Sequence, residues 1–189
     1  MRAVSVMSLA AALMLSAVVA SAEMTSGPQV GEPVGAFLVT KVTGNPEDGV
    51  ADGKTLCYRC RMGNKPVVMV FARSADEKFA KFLKQLEGEL EEHADEQLTA
   101  FVNMIGTDAE SLKKAAADFA AKHDFKRIAF VVPEEVENGP EDFKIAPDAD
   151  LTVVCYKGGT VKANHAVAKG GLDDDMIDAM VEASCKLVE

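Results

Sequence analysis

The sequence predicts an α/β fold built on a mixed central β-sheet with helices on both faces. Two observations predict it. First, apolar runs of strand length (PVVMVFAR at 66–73, LTAFVNMIG at 98–106, RIAFVV at 127–132) alternate with two stretches of helical period. Strand–helix–strand–helix–strand implies parallel neighbours joined by right-handed crossovers. Second, LTVVCYKGGTVKANHAVA at 151–168 reads as two strands about Gly158-Gly159, followed by a closing helix. These add antiparallel strands to the same sheet.

The elements can be justified in order. Arg2 precedes the apolar run AVSVMSLAAALMLSAVVA, which ends in the small residues Ala20, Ser21 and Ala22. A basic start, an apolar stretch and small residues before a cut mark residues 1–22 as a secretory signal peptide, cleaved near Ala22. Residues 23–34 are small, polar and Gly/Pro-bearing, and read as a flexible lead-in to one domain over 35–189. GAFLVTKVTG (35–44) reads as a strand, an N-terminal β extension before the alternating core. NPEDGVADG (45–53) is turn chemistry, and KTLCYRC continues as a short strand or tight turn.

Between 76 and 93, Phe79, Phe82, Leu83, Leu86 and Leu90 fall on one helical face. Thr107 and Glu110 form a T-x-x-E capping box that opens a helix with Leu112, Ala115, Ala116 and Phe119 on one side. Residues 134–150 are an acidic connection with a helical turn around 141–144. Asp173 caps the last helix, its acidic first turn suits the helix dipole, and Ile177, Met180, Val181, Ser184 and Val188 line one face.

Taking the 22-residue leader from 189 leaves 167 residues, enough for one domain with a substantial core, and loss of Arg2 moves the net charge from −10 to −11. So acidic a chain is repelled by nucleic-acid phosphates, which argues against that partner class. The leader implies export, so the expected location is periplasmic or extracellular, and no segment after it is apolar enough to span a membrane. Cys57, Cys60, Cys155 and Cys185 all lie beyond the leader, where an oxidising compartment favours disulfides; three pairings are open. No serine-nucleophile elbow, phosphate loop or zinc-protease motif occurs.

KTLCYRCRMGNK, residues 54–65, carries the chemistry. Lys54, Arg59, Arg61 and Lys65 surround Cys57 and Cys60 with no acid among them, a setting that favours thiolates. Arg59 and Arg61 are the candidate thiolate-stabilising residues, and Tyr58 between the cysteines is a candidate recognition surface. The same pair could be an inert structural clip. It could also be half of a metal site completed by His165, although zinc needs three or four ligands and a single C-x-x-C supplies two. Cys155 shares a strand face with Leu151 and Val153 and reads as a small buried hydrophobe. Cys185 lies near the apolar edge of the last helix, and a Cys155–Cys185 bond would leave Cys57–Cys60 as the remaining pair.

The order of elements, with VGEPVGAFLVTKVTG, KPVVMVFAR and DLTVVCYKGGTVKANHAVAKGGLDDDMIDAMV, resembles the redoxin branch of the thioredoxin-like superfamily, which includes peroxiredoxins and exported thiol-disulfide proteins. That resemblance implies a thioredoxin-like fold across nearly the whole mature chain. In such proteins the reactive cysteine follows the first core strand and opens the next helix. Here that place is held by RSADE, residues 73–77, which contain no cysteine, so a peroxiredoxin-type peroxidase is disfavoured. The cysteine pair instead precedes the strand. The family also places a cis-proline before the penultimate strand, facing substrate; Pro147 is the candidate here. The resulting expectation is thiol-disulfide exchange with a protein disulfide or dithiol partner, needing no cofactor, with Cys57 as the attacking sulfur by resemblance. A thioredoxin-fold binding module with a structural disulfide is the alternative, and metal binding through the C-x-x-C is the third reading.

Overall fold

The computed structural model describes residues 24–189, so the expected signal peptide, residues 1–22, lies outside the described residues. Its centre is a seven-stranded mixed sheet. In chain order the elements are β1 (Val39–Thr43), β2 (Thr55–Leu56), α1 (Tyr58–Met62), β3 (Pro66–Ala72), α2 (Glu77–Glu92), β4 (Thr99–Met104), α3 (Ala109–His123), β5 (Ile128–Pro133), β6 (Ala149–Lys157), β7 (Thr160–Ala168) and α4 (Asp174–Cys185). Across the sheet the strands run β2-β1-β5-β4-β3-β6-β7. β3, β4 and β5 are parallel neighbours, while β6 and β7 extend one edge antiparallel and β1 and β2 the other.

The predicted crossovers have a geometric consequence. β3 to β4 and β4 to β5 step in the same direction across the sheet, so two right-handed connections must place α2 and α3 on the same face. α4 packs beside α2 there. Val68, Val70 and Ala72 of β3 point into this layer, meeting Phe82, Leu83 and Leu86 of α2 and Ile177 and Met180 of α4. Each such fully buried side chain contributes roughly 1.5–3 kcal/mol, which is why α2 forms despite its many charges. Helices thus occupy both faces, but unequally.

The opposite face carries Val67, Met69 and Phe71 of β3, and short or irregular segments cover it: α1, the 24–37 segment and the 3-10 turn Glu141–Phe143. Phe37, Phe71 and Phe143 pack there as an aromatic cluster, with Phe37 edge-on to Phe143 at 5.0 Å.

Four local expectations change. The lead-in is fastened to the domain. Ser26 is 1% exposed, its hydroxyl pairs with Thr152 at 2.7 Å and accepts the Ala146 N–H, and Asn164 donates to the Ser26 and Pro28 carbonyls. Unpaired backbone groups at the β7 edge draw the segment in: Gly31 and Val34 donate to Val161 and Gly159, and Val161 donates back to Glu32. Second, α3 starts one residue later than the capping box implied, with Asp108 accepting the Ser111 N–H, because a carboxylate is the stronger acceptor at that end. Third, Ala115 on α3 is exposed while Ala116, Phe119 and Ala120 are buried. Fourth, KTLCYRC contains a helix: β2 ends at Leu56 and α1 begins at Tyr58. The Asp173 cap, the helical turn after Pro140 and the Gly158-Gly159 turn, both glycines at positive φ, stand as expected.

Candidate functional site

Cys57 and Cys60 are bonded to one another. Cys57 is the N-cap of α1: it has extended backbone, and its Sγ accepts the N–H of Cys60 at 3.0 Å. The first turn of a helix leaves N–H groups without partners, and here one of them is aimed at sulfur. A strand followed by a cysteine N-cap and a second cysteine in the first turn therefore exists in this chain, but ahead of β3. Cys60 is exposed and Cys57 half-buried.

α1 is held from three sides. Tyr58 is 1% exposed, stacks on Phe101 at 5.2 Å and donates its hydroxyl to Asp48 at 2.5 Å. Tyr58 is therefore a buried anchor; the recognition surface expected of it is not available to a partner. Burial and the Asp48 hydrogen bond both raise its pKa, so it stays a donor. Asp48 also accepts from Lys41 at 2.8 Å and from the Val50 N–H at 2.7 Å. Lys41, itself 1% exposed, donates further to the carbonyls of Asn45 and Val50. This Lys41–Asp48–Tyr58 network ties β1, the 45–50 turn and α1 into one unit. Composition alone gave no hint of it. The available signal was the period-2 pattern of VTKVT, which places Lys41 on the same face as the buried Val39.

The two arginines brace the ends of the motif. Arg59 Nε donates to the Val34 carbonyl at 3.0 Å, and its guanidinium occupies the space a Cβ on Gly159 would need. Arg61 donates to the Asp48 carbonyl through Nε at 3.2 Å and Nη2 at 2.5 Å. Each charge is thereby held beside the cysteine helix. A cleft of about 570 Å³ opens next to it, lined in part by Asp48, Arg61, Met62, Lys65 and Arg127.

Pro147 sits elsewhere. It is exposed, Asp148 alone separates it from β6, and no cis peptide occurs among the described residues. No cis-proline platform is present among the described residues, and the chain ahead of β6 is held instead by a hydrogen-bonded seam. Arg73 N–H donates to Asp150, and the Arg73 guanidinium donates to the carbonyls of Ala149 and Glu137 and to the Asn138 side chain. Ser74 closes the seam on the Asp150 carboxylate. The helix that follows, α2, is capped by Asp76 rather than by a cysteine.

The other two cysteines are not bonded to each other. Burial in β6 pushes the Cys155 thiol up to about 12, and partial burial with the Glu89 carboxylate beside it pushes Cys185 up to about 11. Both thus stay protonated thiols near neutral pH. His165 lies on β7 opposite Val153 and lines a hollow under α4 with Ala179 and Ala183, whereas Tyr58 of the cysteine helix packs into the opposite face. The structure does not bring it to Cys57 and Cys60 as a third ligand, and two sulfurs bonded to each other offer no thiolate to a metal.

No protein-family model and no curated protein matches the sequence. Solved structures do match. A protein assigned as the thiol:disulfide interchange protein DsbE of Chlorobium tepidum superposes with a TM-score of 0.62 at 10% identity, covering 85% of this chain and 99% of that one. The thioredoxin domain of a thiol-disulfide oxidoreductase from Bacteroides vulgatus gives 0.59 at 16%, with 86% and 99% covered. A peroxidoxin, BcpB, from Mycobacterium tuberculosis gives 0.56 at 15%, with 84% and 97% covered. At such identities the likeness is one of fold: this chain has a thioredoxin-like fold. No helix among the described residues is long and apolar enough to cross a membrane.

Proposed function

We propose that this chain is an exported thioredoxin-like protein that exchanges thiols and disulfides with a protein partner through Cys57 and Cys60. The observation that carries the reading is the exposed Cys60 bonded to a Cys57 whose sulfur accepts a helix N–H, on a helix held by a buried ion pair. A partner thiolate attacks Sγ of Cys60, forming a mixed disulfide and expelling Cys57 as thiolate, which the Cys60 N–H stabilises. A second partner thiolate then attacks the partner sulfur of the mixed disulfide and releases Cys60, so the partner is oxidised by two electrons and this pair reduced. In reverse, the Cys60 thiolate attacks a partner disulfide and Cys57 resolves the mixed species. Exposure thus favours Cys60 as the sulfur that joins the partner, whereas resemblance alone pointed to Cys57. Arg59 and Arg61 supply positive charge beside the developing thiolate.

The test is reduction of insulin disulfides by dithiothreitol with and without the protein. Acceleration that disappears in the C57S/C60S variant is expected, and C57S should accumulate a mixed disulfide on Cys60. No acceleration, together with an undepressed pKa for both thiols of the reduced protein, would remove the proposal. The second reading, a non-catalytic binding module, draws support from the seam at residues 73–77. A partner interaction unchanged in C57S/C60S would favour it.

A further inference from the structure

We propose that Glu89, His93 and Cys185 form a binding site for a borderline-soft divalent transition-metal ion of the Zn²⁺ kind, with Glu96 as the outer carboxylate that orients His93. This site is independent of the cysteine helix.

The donors come from two packed helices. Glu89 and the C-cap residue His93 are four apart on α2 and so project from one side, while Cys185, at the end of α4, reaches them from the neighbouring helix. Cys185 Sγ lies 3.1 Å from Glu89 Oε2, His93 Nε2 lies 3.8 Å from the same oxygen, and the three donor atoms fall within 4.8 Å of one another. In a tetrahedral site with metal–sulfur bonds near 2.3 Å and metal–nitrogen or –oxygen bonds near 2.0–2.1 Å, donors sit roughly 3.3–3.6 Å apart. Closing on an ion therefore needs shifts of about an ångström in side chains that are a quarter exposed, 25% for His93 and 26% for Glu89.

Two further features point to a cation. His93 Nδ1, the ring nitrogen a metal would not take, faces Glu96 Oε2 at 3.8 Å. That is just beyond hydrogen-bond distance, and a small side-chain shift would let the carboxylate fix the ring and its tautomer, the usual outer-shell arrangement around histidine ligands. Glu89 and Glu96 also have no lysine or arginine partner among the described residues, whereas Glu77 and Glu87 of the same helix do. Two carboxylates, an imidazole and a thiol thus converge with no fixed cation. The donor set of sulfur, nitrogen and oxygen selects zinc-like ions over calcium or magnesium, which demand oxygen. Three protein ligands leave a fourth position for water.

The experiment uses the full chain with its Cys57–Cys60 disulfide intact, confirmed by thiol count, so that those sulfurs cannot contribute. Zn²⁺ titration should give one ion per chain, and Zn²⁺ should protect Cys185 from alkylation in the otherwise unaltered protein. Co²⁺ should produce thiolate-to-metal charge-transfer absorption. C185S and H93Q should each weaken Zn²⁺ binding by tenfold or more, and E96Q by about tenfold. Failure to bind Zn²⁺, binding without protection of Cys185, or affinity unchanged in C185S and H93Q would overturn the site and leave only the Cys185–Glu89 hydrogen bond with His93 beside it. The protection measurement needs no substitution, so it stands even if a variant folds poorly.

Discussion

The two ends of β3 are built differently. At its C-terminal end, where the resemblance placed a reactive cysteine at the start of a helix, residues 73–77 hold a structural seam. Arg73 alone donates from its backbone to Asp150 and from its guanidinium to Ala149, Glu137 and Asn138. At the N-terminal end, six steps and about 20 Å of extended chain away, a short helix starts on Cys57 and carries the disulfide. The difference teaches that strand, cysteine cap and helix turn form a local unit. The fold supplies a place to fasten it, and more than one place will serve.

Removing the fastening should have the largest effect. D48N leaves Lys41 charged and buried without its carboxylate and weakens the hold on Tyr58. A loss of about 3–5 kcal/mol in urea unfolding is expected, with faster reduction of Cys57–Cys60 by dithiothreitol. Stability within 1 kcal/mol of the parent protein would mean the network does not hold α1. The opposite end gives the matched control. R73A should lose about 1–3 kcal/mol, since part-buried acceptors such as the Ala149 carbonyl lose their donor, while insulin reduction stays at the parental rate. A fall in activity beyond the loss of folded protein would place chemistry at residues 73–77 and break the comparison.

A smaller effect is expected where the β6–β7 turn touches the motif. Gly159 has φ +77°, and a methyl there meets the Arg59 guanidinium. G159A should lose roughly 1 kcal/mol from backbone strain and release Arg59 from Val34, which should raise the thiol pKa of the reduced cysteine pair. An unchanged thiol titration would show that Arg59 braces the loop without tuning the sulfur. The smallest effect belongs to His165, whose pKa burial lowers from the ordinary 6.5. The unfolded chain then binds a proton that the folded chain resists, so stability present above pH 6.5 is lost as pH falls below it. Paired urea melts at pH 7.5 and 5.5 (about one unit either side of the ordinary histidine value) should show a larger drop for the parent than for H165N. Equal drops would place His165 in water.

Much of the fold was legible in the sequence because periodicity is local information. The β3 run, the five apolar residues of α2 and the Gly158-Gly159 turn each announce themselves within a window of a dozen residues. Asp108 displaced the expected Thr107 cap by one residue, a choice between two adjacent oxygen acceptors that spacing does not resolve. The site was half legible. Cys57 and Cys60 stand out by spacing and by their basic neighbours, but the burial of Tyr58 depends on Phe101 and Asp48, which are 43 and 10 residues away. The fastening of residues 24–34 likewise depends on Thr152 and Asn164.

By itself, the sequence determined an α/β chain with a mixed sheet, a cysteine pair outside the position its resemblance implies, and a vacancy of cysteine at residues 73–77. These follow from hydrophobic period and residue identity, which a linear chain carries openly. Only the tertiary structure decided that the pair opens a helix, that a buried Lys41–Asp48–Tyr58 network holds that helix, and that Glu89, His93 and Cys185 meet. Each of those depends on contacts between residues distant in the chain, and such contacts exist only once the crossovers have set α2, α4 and the 45–50 turn against the same sheet.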